Sequence, residues 1–221
     1  IEFTAPEQTE LAPQTDVVLN KVRHPHYGRY LEEFVPGQVF QHPRGITIDR
    51  GMAKAFATTF MQGNPLYLNE DFARQHGFSG TPLCPQMVFN LVLSLGVQND
   101  SEKAIANLGY YNAQFLRPVY PGDTLRSLTK VVDRQERGAD KPGIVTVLTM
   151  GLNQHEQAVL QYKRKIMVAF RGERPPTIPA SNTDTDFPWL DAPQVVLPSA
   201  PEKYPSSLTG SNTYFENFCA G

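Results

Sequence analysis

The stretch PQMVFNLVLSLG, Pro85 to Gly96, constrains this chain more than any other. Proline suits the first position of a helix, where its missing N–H costs nothing, and glycine suits the stop. Between them Met87, Val88, Phe89, Leu91, Val92, Leu93 and Leu95 leave almost no polar face, so the helix has to be covered on nearly all sides. The apolar run is too short to cross a bilayer and is interrupted by Asn90 and Ser94, so the cover must be protein. Four β-rich segments come next: LGYYNAQFLRPVY, DTLRSLTKVVDRQER, GIVTVLTMGLNQ and QAVLQYKRKIMVAF. Each is bounded by Gly, Pro, Asp or Asn turn signals.

An antiparallel sheet curled around one apolar helix is the economical way to bury both. That is an α+β chain with the hot-dog arrangement. Upstream, Phe34, Val39 and Phe40 flank a Pro-Gly turn before a strand that ends near GITI. At Asp49 the period changes. Asp49 is placed to cap a helix whose Met52, Phe56 and Phe60 recur at four-residue steps, giving one apolar stripe that ends before Asn64-Pro65. Asn69 is placed to cap a second short helix, EDFARQH, with Gly77 as its left-handed stop.

The flanks read differently. Residues 1–27 are polar and proline-containing without a sustained period, an extended arm. The hot-dog unit is expected over 28–173. Residues 174–211 are dense in proline and small polar residues, a linker or a strap pinned by Phe187, Trp189 and Leu190. YFENFCAG, Tyr214 to Gly221, then matches YLEEFVPG, Tyr30 to Gly37, at Tyr, Glu, Phe and Gly. The match predicts that 212–221 begins a second copy of the same domain.

Bulk properties exclude several functions. With 40% hydrophobic and 19% charged residues and a net charge of −2 over 221 residues, the chain lacks the basic excess that nucleic acid binding requires. Cys84 and Cys219 are far apart, without CxxC or His at ligand spacing, so neither a disulfide framework nor a zinc site is expected. The absence of a membrane span and of a signal-peptide pattern leads to the expectation of a soluble, cytoplasmic protein.

In NPLYLNEDFARQHGF, the apolar helix and FLRPVYPGDTL, the chain resembles the MaoC-like acyl-CoA hydratases and dehydratases over roughly Tyr30 to Arg171. FLRPVYPGDTL is the most specific piece. It reads physically as a strand ending at Pro118, a turn at Pro121-Gly122-Asp123 and a returning strand. NLGYYNAQFLRPVYPGDTL and the restarting tail look most like a two-domain branch of that family. The resemblance implies reversible hydration of a 2-enoyl-CoA thioester, with mesaconyl-CoA and β-methylmalyl-CoA as the substrate pair. It further implies no metal or redox cofactor, the CoA thioester being the substrate. The implied partners are a second hot-dog domain or subunit, in a homodimer.

The resemblance also sets up a conflict. Hydration needs a base for water, an acid for the α-carbon and donors for the thioester oxygen. The family turn D-x-N-P-x-H supplies the first two, but here Gln62 and Tyr67 hold the Asp and His positions around Asn64-Pro65. An amide does not titrate usefully and tyrosine's ordinary pKa is about 10, so substrate shaping is the better reading of both. The proton-transfer groups would then lie in the second domain or a partner subunit. Asn64 is most simply a turn residue. Where the family shows an A-H-G-like element, Cys84, Pro85 and Gln86 stand; the N–H groups of Gln86 and Met87 remain candidate oxyanion donors.

Other candidates have plain alternatives. Arg164, between Lys163 and Lys165, is a candidate for CoA phosphate, against the commoner reading of a solvated sheet edge. Arg117 and Arg44 are alternatives for a free carboxylate on the acyl group. His42 is a weak candidate for contact with an acid; His76 suits a helix end; His155 falls in a hairpin turn; His24 and His26 fall in the arm. Two other classes remain. A hot-dog thioesterase would want a carboxylate on the central helix, and PQMVFNLVLSLG has none. A non-catalytic acyl-CoA-binding or scaffold domain would fit the missing Asp and His.

Overall fold

The computed structural model describes residues 28–138, 141–172 and 187–199. Five strands, β1 (Val39–Thr47), β2 (Ala104–Phe115), β3 (Thr124–Gln135), β4 (Gly143–Leu152) and β5 (Ala158–Val168), form one sheet in the order β1-β3-β4-β5-β2. Every pairing is antiparallel. The helices are α1 (Arg50–Thr59), α2 (Glu70–Gln75) and α3 (Pro85–Asp100). This is the expected hot-dog fold, with α3 lying along the concave face of the sheet.

Two-residue alternation fixes that face. Leu125, Ser127, Thr129 and Val131 of β3 are buried, as are Tyr162, Arg164, Ile166 and Val168 of β5. Leu125 and Tyr162 meet Met87, Val88, Val92 and Leu95 of α3 in one apolar cluster, while Val131, Ile166 and Val168 join Leu31, Phe34, Phe40, Val145 and Val147 in a second. Each such side chain contributes about 1.5–3 kcal/mol of burial. The arm (1–27) and YFENFCAG (214–221) lie outside the described residues.

Three expectations are corrected in detail. The central helix runs on to Asp100 rather than stopping at Gly96. It also keeps a thin polar stripe, because Gln86, Asn90, Ser94 and Gln98 recur every fourth residue and are all exposed. In α1 the predicted stripe is displaced: Met52 and Phe60 are 40% and 58% exposed, while Ala53, Phe56 and Ala57 face the core. Ala53, Phe56 and Ala57 lie about one turn apart on a single face of α1, and Phe60 falls in the C-cap beyond the last helical residue.

The turn chemistry follows the sequence closely. Asp49 accepts from the N–H groups of Gly51 and Met52, and Asn69 accepts from Phe72 N–H. Gly77 takes φ +81° at the end of α2. Residues 187–199, the described part of the proline-rich segment, run against the sheet as a strap would. Gln161 donates to Leu190 C=O at 2.8 Å and accepts from Leu190 N–H at 3.2 Å, and Val196 N–H donates to Leu116 C=O at 2.8 Å. The strap is therefore pinned by its backbone; the Leu190 side chain is itself 42% exposed. No helix among the described residues is long and apolar enough to cross a membrane.

Candidate active site

The turn after α1 builds one wall of a pocket. Gln62 N–H donates to Ala57 C=O at 2.8 Å as α1 ends. Asn64 Oδ1 then accepts from Leu66 N–H at 2.9 Å and caps a 3-10 turn, Pro65–Tyr67. Opposite, Leu83 N–H donates to Val119 C=O at 2.7 Å and ties the start of α3 to the strand-end segment FLRPV. Between them lies a cavity of about 260 Å³. Leu66 and Tyr67 of the turn, Phe78 and Pro82 of the loop, Pro85 and Val88 of α3, and Phe115, Arg117 and Pro118 line it, with Leu197 of the strap at its edge.

Of the six residues proposed from sequence, the pocket is lined by Tyr67 alone. On α3, Pro85 and Val88 share the pocket face, whereas the Gln86 side chain is exposed and that of Met87 points into the core, so any part these two take is through their backbone N–H groups. Met87 N–H is taken by Cys84 C=O at 3.0 Å, while Gln86 N–H has no backbone acceptor among the described residues. Asn64 is occupied as a cap, and Gln62 is half-buried behind the turn. The lining residues Leu66, Phe78 and Phe115 escaped notice because an apolar wall carries no motif.

Burial lifts the Tyr67 phenol above its ordinary value, and neighbouring Cys84 adds to the shift. Tyr67 therefore stays protonated near neutrality and is a hydrogen-bond donor, not a base. Among the described residues neither a carboxylate nor an imidazole lines the pocket, and Arg117 is the only charged one that does.

Arg164 lies elsewhere. It is 8% exposed; its Nε donates to Asn107 Oδ1 at 2.9 Å, its Nη1 to Ser101 Oγ at 3.1 Å, and its guanidinium lies 5.7 Å from the centre of the Tyr110 ring. The solvated-edge alternative fails as well, since β5 lies inside the sheet between β4 and β2. Arg164 belongs to a sealed polar cluster at the C-terminal end of α3. There His42 Nε2 lies 2.9 Å from Thr129 Oγ1 and 3.7 Å from Asp100 Oδ2, and Asn99 Nδ2 donates to His42 Nδ1 at 3.2 Å. His42 does meet an acid, but one of this chain.

The cluster fits because Gly96 leaves room for it. A Cβ there would sit 2.9 Å from His42 Nε2 and 3.1 Å from Asp100 Oδ2. Burial pushes the His42 imidazole below its ordinary value, with Asp100 opposing and Arg29 and Arg44 adding to the fall. His76 closes α2, stacked on Phe72 with its Nδ1 2.8 Å from Phe72 C=O, and His155 sits exposed in the β4–β5 turn. Among the described residues no group of three or more His, Cys, Asp or Glu is placed to hold a metal ion.

Comparison with known proteins agrees with this architecture. Mesaconyl-CoA hydratase of Cereibacter sphaeroides is 34% identical over 171 residues, 77% of this chain and 50% of that protein. β-Methylmalyl-CoA dehydratase of Chloroflexus aurantiacus is 33% identical over 178 residues, 80% of this chain and 46% of that protein. The chain thus spans about half the length of these curated relatives. Among solved structures, a MaoC-domain protein described as a dehydratase, from Chloroflexus aurantiacus, superposes with a TM-score of 0.69 at 28% identity, over 90% of this chain and 57% of that one. A Mycobacterium tuberculosis protein with a double hot-dog fold superposes at 0.61 and 24% identity, over 82% and 54%, a likeness of fold alone. The family model for mesaconyl-CoA hydratase matches residues 5–221, and with it the chain belongs to the mesaconyl-CoA hydratase family.

Proposed function

We propose that the full-length protein catalyses the reversible addition of water to a 2-enoyl-CoA thioester, with mesaconyl-CoA and β-methylmalyl-CoA as its pair. In this reading the domain described above shapes the acyl pocket and does not carry the proton transfers. The observation that carries it is the composition of the pocket: a protonated phenol and one arginine in an otherwise apolar wall. Such a wall suits an acyl chain and excludes water, yet it offers no group that titrates near neutrality. Water addition forms a C–O bond at the β-carbon and a C–H bond at the α-carbon, with no net oxidation or reduction. The acid and base then come from a second hot-dog domain or from a partner subunit of a homodimer. The names of the relatives support the chemistry, and their greater length supports the division of labour.

The test offers mesaconyl-CoA and crotonyl-CoA to the purified full-length protein and follows both the enoyl absorbance and free thiol. Loss of absorbance without thiol is the expected result. Thiol release without hydration would replace this reading with a thioesterase, and neither signal would leave an acyl-CoA-binding domain.

A further inference from the structure

We propose that Arg117 binds a free carboxylate at the distal end of the acyl group and so selects dicarboxylic acyl thioesters over simple ones. The inference rests on the reading of the pocket as an acyl site, and deepens it.

The arginines of this domain sort into two sets. Arg29, Arg50, Arg74, Arg126, Arg134, Arg164 and Arg171 each donate to a side chain or a carbonyl, or pair with a carboxylate. Arg44, Arg117 and Arg137 make no hydrogen bond or ion pair among the described residues. Arg44 and Arg137 are exposed, where water serves them. Arg117 is half-buried and lines the cavity. A guanidinium presents its donors in a planar fork that matches a carboxylate, and in a wall this apolar an uncompensated cation favours an anionic ligand.

The backbone holds Arg117 in place. Pro118 follows it and disfavours helical geometry, while its neighbours Leu116 and Val119 are buried and bonded to Val159 and Leu83 through their backbones. The side chain thus stands on a rigid strand end, facing the turn that carries Tyr67. This placement ranks Arg117 above Arg44, which lies on the exposed bulge of β1.

An anion at this guanidinium has two sources in a CoA thioester, the acyl carboxylate and the phosphates of CoA. The variants R117Q and R117K, in the full-length protein, separate them when mesaconyl-CoA, which carries the carboxylate, is compared with crotonyl-CoA, which does not. R117Q is expected to raise the KM for mesaconyl-CoA about ten- to a hundredfold, the worth of a hydrogen bond to a charged group. Crotonyl-CoA is expected to change by less than about twofold, which also reports that the variant is folded. R117K, retaining charge without the fork, should fall between R117Q and the parent with mesaconyl-CoA. An equal loss with both thioesters would move the guanidinium to a CoA phosphate and overturn the proposal, as would no loss with either. Calorimetric binding of the two thioesters reads the same ratio without turnover. A parent protein that hydrates neither thioester but binds mesaconyl-CoA more tightly through Arg117 would therefore sink the hydratase reading and keep this one, and binding of neither would sink this one.

Discussion

The two ends of α3 handle polar groups in opposite ways. At the N-terminal end the pocket keeps Tyr67 and Arg117 among apolar walls, with no carboxylate or imidazole among the described residues that line it. At the C-terminal end Asn99, Asp100 and Ser101 meet His42, Thr129 and Arg164 in a cluster that bonds to itself. The helix is continuous, yet one end leaves its polar side chains to a cavity and the other bonds most of its own together, with Asp100 Oδ1 and Arg29 Nε among the buried atoms left without a partner. A polar group that a ligand is to use has to be left without a protein partner; one that holds the sheet to the helix cannot be. Titratable residues in this domain are thus a poor guide to its site, because His42 and Asp100, the pair a search for acid and base would choose, are structural.

Breaking the sealed end should cost the most. His42→Ala removes partners from Thr129 and Asn99 and leaves a cavity, an expected loss of about 2–4 kcal/mol in urea unfolding. Turnover per folded molecule should be unchanged, and a fall in turnover without a fall in stability would make His42 part of the site.

Acid should weaken the same end next. The folded His42 pKa lies below its ordinary value of 6.5, so between the two the unfolded chain holds the extra proton. Its contribution is complete above 6.5 and drains as pH falls from there toward the folded value. The slope from one proton is at most about 1.4 kcal/mol per pH unit. His42→Gln should flatten the stability profile over that window, and an unchanged profile would remove the imidazole from the account.

The open end should respond least in stability and most in binding. Tyr67→Phe is expected to raise KM about two- to fivefold, roughly the worth of a hydrogen bond, with kcat within about twofold, and Gln62→Leu, outside the pocket lining, to change neither. A collapse in kcat at unchanged KM would make this turn the proton-transfer site after all. Together with the selectivity expected of R117Q, these measurements ask whether polar groups at the two ends divide into binding and holding.

Local chemistry was highly legible. Asp49, Asn69 and Gly77 sit where their cap and stop preferences put them, because each acts on backbone groups within a few residues. The hot-dog fold was legible from one apolar helix and the strands after it. Facing was harder. The α1 stripe was read from Met52 and Phe60, yet the packing face runs through Ala53, Phe56 and Ala57, since which side of a helix is buried depends on what lies opposite. Arg164 shows the same limit: its alternation with Lys163 and Lys165 was visible, but not that its own face is the one closed over by α3.

By itself the sequence determined the elements, their caps, the wrapped central helix and the presence of Gln62 and Tyr67 around the Asn-Pro turn. These rest on propensity, periodicity and residue identity, all carried by neighbours in the chain. Only the tertiary structure decided that Pro85 and Val88 rather than Gln86 and Met87 face the pocket, that His42 is spent on Thr129 and Asn99, and that Arg117 alone brings charge to an apolar wall. Those outcomes depend on helix phase against a sheet whose strand order, β1-β3-β4-β5-β2, brings distant segments together, and no local window contains that information.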